Sequence, residues 1–286
     1  MIISHDVSGT GPAVVLLHSA VCDRRMWEPQ WQALLDAGHR VVRCDFRGVG
    51  DTPLADASYS VAADVLDLLD HLGIETAALV GASYGGRIAL TVAALRPTAV
   101  TALALLGAGK PGHEPSDTLL ALDAREEALL DAGDIEGAVE LNVRTWPGPE
   151  ADEATRELVR RMQRHNFEVQ LTAQVGPQEE DVDLTHITAP TLAIAGAHDL
   201  PDFREIAASL PALLPNARHL ELPWAGHLPN LERPAEVTVL LADFLLRVLR
   251  LVSRGGAQAP AATPTRILSL TNFLVGPTLD ACWTSL

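Results

Sequence analysis

Four short runs built almost wholly of apolar residues constrain this chain more than any other feature: "AVVLLH" (13–18), "TAALVG" (76–81), "AVTALALLG" (99–107) and "PTLAIAG" (190–196). A strand that is apolar at every position has no face for water, so each run reads as a strand covered on both sides. "RVVRCD" (40–45) and "RHLELP" (218–223) add two more strands. Between the strands the period changes to that of a helix, over 25–38, 61–73, 83–95, near 202–214 and over 234–251. In 61–73, Val61, Val65, Leu68, Leu69 and Leu72 share one face, with Asp64, Asp67 and Asp70 opposite. Strands alternating with helices predict an α/β domain with a mostly parallel, doubly covered sheet.

From about 110 to 185 the strand pattern stops. Helical segments rich in Ala, Leu, Glu and Arg (117–131, 134–145, 152–174) take over before alternation resumes. This block reads as a helical cap inserted into one domain spanning 1–251. After it comes a Gly/Ala/Pro/Thr linker and then "ILSLTNFLVGPTLDACWTSL", interrupted by Asn272, Gly276, Pro277 and Asp280. Residues 252–286 are therefore expected to be a flexible tail.

Composition excludes several function classes. The formal net charge of −16 is the wrong sign for a nucleic-acid surface, and Lys110 is the only lysine. Cys22, Cys44 and Cys282 form no CxxC pair, which fits a reducing compartment. No basic start precedes a long apolar stretch, and no run reaches the roughly 18 apolar residues of a membrane span. The expectation is a cytoplasmic protein bound to neither membrane nor nucleic acid. "GAGKPG" (107–112) lacks the Ser or Thr and the glycine spacing of a phosphate loop. No HExxH, zinc-type Cys/His set or dinucleotide fingerprint is present, so no cofactor and no metal are expected.

The chemistry enters with "LVGASYGGRIAL" (79–90), where GxSxG joins a strand to a helix. A serine lifted above the strand ends needs a strained turn, and side chains two residues either side would meet backbone. Gly81 and Gly85 fill those places. The hydroxyl of Ser83 alternatively serves as an ordinary helix N-cap. A nucleophilic serine needs a histidine base oriented by a carboxylate, in the order Ser, Asp/Glu, His. His227 in "WAGHLPNLERP" lies between the last strand and the last helix. Asp199 in "AIAGAHDLPDF" follows the penultimate strand, with Asp202 close by. The loop in "LLHSAVCDRRMW" (16–27) is placed to supply backbone donors for an oxyanion.

Together GASYG, "CDFRGVGDTP" (44–53) and "AGHLPNLERP" make the chain resemble the α/β-hydrolase superfamily from about residue 8 to 250. The usual His-Gly pair of that family is His18-Ser19 here. "DRRMW" (23–27) is similar to the branch that includes enol-lactonases. The resemblance implies a catalytic set of Ser83, Asp199 and His227, with the N–H groups of Ala20 and Tyr84 as oxyanion donors. Structural roles are expected for His18 and His198, each helping to hold a loop by hydrogen bonds, and for Arg47 as a loop anchor. Trp146, Met162 and Phe167 are candidates for the substrate-cavity wall, simple packing being the alternative for each. The implied activity is cofactor-free hydrolysis of a small carboxylic ester or lactone through an acyl-enzyme. Alternatives on the same residues are perhydrolase or haloperoxidase chemistry, a C–C hydrolase, a lyase, or a receptor that keeps the triad.

Overall fold

The computed structural model describes residues 1–255. They form seven strands in one sheet, in the order β1-β3-β2-β4-β5-β6-β7. The strands are β1 (His5–Ser8), β2 (Ala13–Leu17), β3 (Arg40–Cys44), β4 (Ala77–Ala82), β5 (Val100–Leu106), β6 (Thr191–Gly196) and β7 (Ala217–Leu222). All neighbours pair in parallel except β1, which runs antiparallel to β3. Its polar "HDVS" at the sheet margin has no continuous apolar run, which is why the strand leaves no sequence signal.

Alternating side chains supply both faces of the sheet. Val15, Leu17, Leu79, Leu103, Leu105 and Ala193 join one core with α2 (Val61–His71), α3 (Tyr84–Leu95) and α7 (Pro201–Leu213). On the other face, Leu245 and Val248 of α9 (Pro234–Gly255), which follows the short α8 (Pro229–Glu232), line one small cleft with Val14, Ala78 and Ala102. Beside α9 lies α1 (Glu28–Asp36), whose Gln30 donates to the Asn230 carbonyl and to Thr238.

Several boundaries differ from the sequence reading. The stretch expected as one helix from residue 25 begins as a 3-10 turn, Arg24–Trp27, capped by Asp23. The last helix extends to Gly255, past the expected end at 251, and the rest of the segment read as a tail lies outside the described residues. Asp64, expected on the solvent side of α2, is buried and accepts both Arg47 contacts at 2.6 Å. Arg47 thus anchors its loop through a carboxylate that amphipathic spacing alone assigns to water.

Between β5 and β6 the chain builds α4 (Asp117–Asp131), α5 (Ile135–Thr145) and α6 (Glu153–Gln170) over the carboxyl edge of the sheet. Ser116, Asp134 and Asp152 cap these helices by accepting an amide of the first turn. α6 stops at Gln170, short of the expected 174. Among the described residues, no helix is long and apolar enough to cross a membrane.

Candidate active site

Ser83 occupies the bend from β4 into α3 at φ 51 and ψ −116, the one positive-φ residue among those described that is not glycine. Such a conformation costs about 1–3 kcal/mol and persists only where the surroundings impose it. Two hydrogen bonds do so: Ser83 N–H donates to the Leu106 carbonyl at 2.9 Å, and Gly109 N–H donates to the Ser83 carbonyl at 3.0 Å. The flanking glycines are required sterically. A Cβ on Gly81 would strike the Gly85 carbonyl, and one on Gly85 would lie 2.6 Å from the His18 carbonyl oxygen. Ser83 stands at the N-cap of α3 yet its hydroxyl makes no cap bond, whereas Ser60 and Ser116 cap their helices. Capping does not account for this hydroxyl.

Asp199 and His227 meet directly, Nδ1 to Oδ2 at 2.8 Å, with both side chains almost fully buried. The Leu200 amide donates to the other Asp199 oxygen at 2.7 Å, fixing the carboxylate. Asp202 is not an alternative partner, because it accepts from Ser116 N–H at 2.8 Å and bonds His113 Nε2 at 2.9 Å. Burial works against ionisation of Asp202, but the bonds from Ser116 and His113 prevail and hold its carboxyl down to about 2. The His227 ring closes a triangle with two aromatic rings, Phe203 with centroids 4.3 Å away and Trp146 at 4.6 Å, which meet each other edge-on at 5.7 Å. Its amide donates to the Trp146 carbonyl at 3.0 Å, so the cap holds the histidine loop. Glu232 grips the same loop by accepting the Gly226 amide at 3.0 Å. Phe203 and Glu232 lie inside the stretches that hold Asp199 and His227 but went unnoticed, because packing on a ring and a bond to a backbone amide leave no pattern in the sequence.

The end of β5 joins these parts. Gly107 has φ 50, and a Cβ there would sit 3.0 Å from His227 Nδ1 and 3.1 Å from Asp199 Oδ2. Residues 106–109 therefore touch Ser83 on one side and the Asp199–His227 pair on the other. No direct hydrogen bond joins Ser83 to His227; this shared segment brings them together.

Beside this edge lies a cavity of about 510 Å³, within the range that holds small ligands. Ala20, Tyr84, Trp146 and Phe167 line it; Ser83, Asp199 and His227 are not in its wall. Ala20 N–H has no acceptor among the described residues, and Tyr84 N–H opens α3, where helix geometry provides none. Burial pushes the Tyr84 hydroxyl up to about 12, so it stays a neutral phenol. Met162 does not line the cavity. It is fully buried within the cap, and the next residue along α6, Gln163, takes the lining position because each step turns the helix by about 100°. His18 holds its loop as expected: its Nδ1 bonds the Ser19 carbonyl at 2.8 Å and its Nε2 accepts Phe46 N–H at 3.0 Å. Burial lowers the pKa of His18 and favours this neutral ring. His198 differs from its expected role, since it is exposed and holds its loop through its backbone N–H to Ala225.

The family described as alpha/beta hydrolase fold matches residues 12–166. "Putative carbamate hydrolase RutD" of Variovorax paradoxus is 33% identical over 263 residues, which cover 87% of this chain and 97% of that one. Among solved structures, a hydrolase from Pseudomonas aeruginosa is 29% identical with TM-score 0.70, covering 84% of this chain and 93% of the other. The enol-lactonase from Burkholderia xenovorans is 26% identical with TM-score 0.69, over 85% and 96% respectively. The chain belongs to the alpha/beta hydrolase family, and hydrolase activity is the class of function that this membership supports.

Proposed function

We propose that the protein is a serine hydrolase acting on a small carboxylic ester or lactone through an acyl-enzyme. The observation that carries this reading is the strained Ser83, whose hydroxyl caps nothing, on a turn that shares residues 106–109 with the Asp199–His227 pair. Ser83 Oγ attacks the carbonyl carbon as His227 Nε2 takes its proton. Asp199 accepts from Nδ1–H, holding the tautomer that leaves Nε2 free and stabilising the imidazolium. The new oxyanion accepts from the amides of Ala20 and Tyr84, the second at the positive end of α3. Collapse expels the alcohol with the proton from His227, and water then releases the acid by the same route in reverse.

Relatives named for carbamate, ester and enol-lactone hydrolysis share the carbonyl as the attacked group, so a substrate panel should span all three. Ser83→Ala is expected to lower turnover of the best panel substrate by at least about 10⁴-fold while circular dichroism and melting stay unchanged. Undiminished turnover in that variant would remove the assignment. A wild-type protein that binds panel members but turns none over would be a receptor on this fold.

A further inference from the structure

The cavity wall has a charge pattern that bears on which substrates enter. Its two arginines, Arg47 and Arg87, are opposed by four carboxylates: Asp123, Glu126, Glu179 and Glu180. Neither arginine is free. Arg47 is held by both oxygens of Asp64 at 2.6 Å, and Arg87 pairs with Glu179 at 2.8 Å. His18 spends both ring nitrogens on backbone groups. A carboxylate in this cavity would find no unpaired cation and would stand among like charges.

The cap side offers acceptors instead. Gln163 is 4% exposed and lines the cavity, and its Oε1 has no hydrogen-bond partner. That oxygen is itself closed off from solvent, so on this side the acceptors open to a ligand are the Asp123 and Glu126 carboxylates. Asn142 cannot serve as a donor to the ligand. Its Nδ2 donates to Glu126 Oε2 and to the Ala138 carbonyl, and its Oδ1 accepts Trp146 Nε1 at 2.6 Å. That arrangement holds Glu126 in the wall with a second oxygen unused. Because Trp146 packs on His227, this acceptor group stands on the side of the cavity toward the histidine. Burial raises the pKa of Glu126 despite the Asn142 bond, as for a carboxylate withdrawn from water without a cation.

We infer that the cavity selects substrates that carry, besides the scissile carbonyl, a hydrogen-bond donor and no negative charge, such as an ammonium, hydroxyl or amide N–H group, and discriminates against those carrying a carboxylate. This deepens the hydrolase reading and, where turnover is measured, rests on it.

Three methyl esters of matched length separate the cases: methyl 6-aminohexanoate, methyl heptanoate and monomethyl pimelate, followed by pH-stat at pH 7. The expected kcat/KM favours the amino ester over the pimelate by at least about tenfold, mainly through KM. In Glu126→Gln that ratio falls by at least about threefold, because one carboxylate of the wall becomes neutral. A pimelate ester hydrolysed as well as the amino ester overturns the inference, as does a preference that Glu126→Gln leaves untouched. Calorimetry on the wild-type protein gives a second readout that needs no turnover, with hexylammonium and heptanoate as the probes. Tighter binding of hexylammonium supports the inference; equal or tighter binding of heptanoate, or no binding of either, overturns it. Hexylammonium binding in a protein that hydrolyses none of these esters and no member of the carbamate, ester and lactone panel would end the hydrolase reading and leave this one standing.

Discussion

The carboxyl edge of the sheet and the cap above it are built to different standards. Every residue of β4 and β6, the strands that present Ser83 and Asp199, is buried. In α4, which carries Glu126 into the cavity wall, no residue is fully buried. The bends at the edge are over-determined by close backbone contacts at Gly81, Gly85 and Gly107. The cap meets the same edge through separate points along its length: Ser116 on Asp202, the Trp146 carbonyl on His227, Asn166 on Cys22 and Gly50, and Gly148 packed against Gly226. On the proposed reading the difference separates two properties: the groups proposed to break the bond sit on the fully buried edge, and those proposed to choose the substrate sit on the less buried cap.

The strongest way to break this comparison is at the edge. Asp199→Asn keeps the shape but favours the wrong His227 tautomer, and should cost about 10⁴-fold in kcat, alike for every ester tested. A loss that depended strongly on the substrate's remote end would show that edge and cap are not separable. Gly107→Ala is milder. Its Cβ would press at 3.0 Å on His227 Nδ1, and a misplaced imidazole should lower kcat about 10²-fold with the relative KM values of the three esters unchanged.

Within the cap, Met162→Ala and Gln163→Leu should part company. Loss of the fully buried Met162 should cost about 2–5 kcal/mol in urea denaturation and leave the ranking of esters as it was. Gln163→Leu should alter that ranking through KM. The reverse result would put Met162 in the wall. Asp202 offers a smaller, pH-dependent effect. Its folded pKa of about 2 lies below the ordinary 3.8, so its contribution is complete above about pH 4 and is lost as the pH falls toward 2. The shift corresponds to about 2 kcal/mol, so the stability difference between wild type and Asp202→Asn should shrink across that window.

The sheet was legible because burial on both faces leaves continuous apolar runs, and β2, β4, β5 and β6 each announce themselves in this way. β1 was not, being a polar edge strand. Ser83, Asp199 and His227 could be picked out because strand ends, glycines and chain order all point to them. Gly107 escaped notice, since a glycine opening a loop looks ordinary until His227 is seen packed against it. The cap helices were legible from composition, but the cavity wall was not. Which of Met162 and Gln163 faces the ligand depends on the phase of α6 against the sheet, and hydrophobicity favours the wrong one. Asp64 misled for the same reason, because spacing cannot show that Arg47 reaches it.

The account rests on Ser83 being the nucleophile, and rapid-quench mass spectrometry of the protein mixed with p-nitrophenyl butyrate tests this most directly. The predicted result is a transient adduct of one butyryl group on the peptide containing Ser83, absent in Ser83→Ala and slow to form in His227→Ala. Steady turnover of the ester with no adduct on that peptide, or with an adduct on another residue, would contradict it.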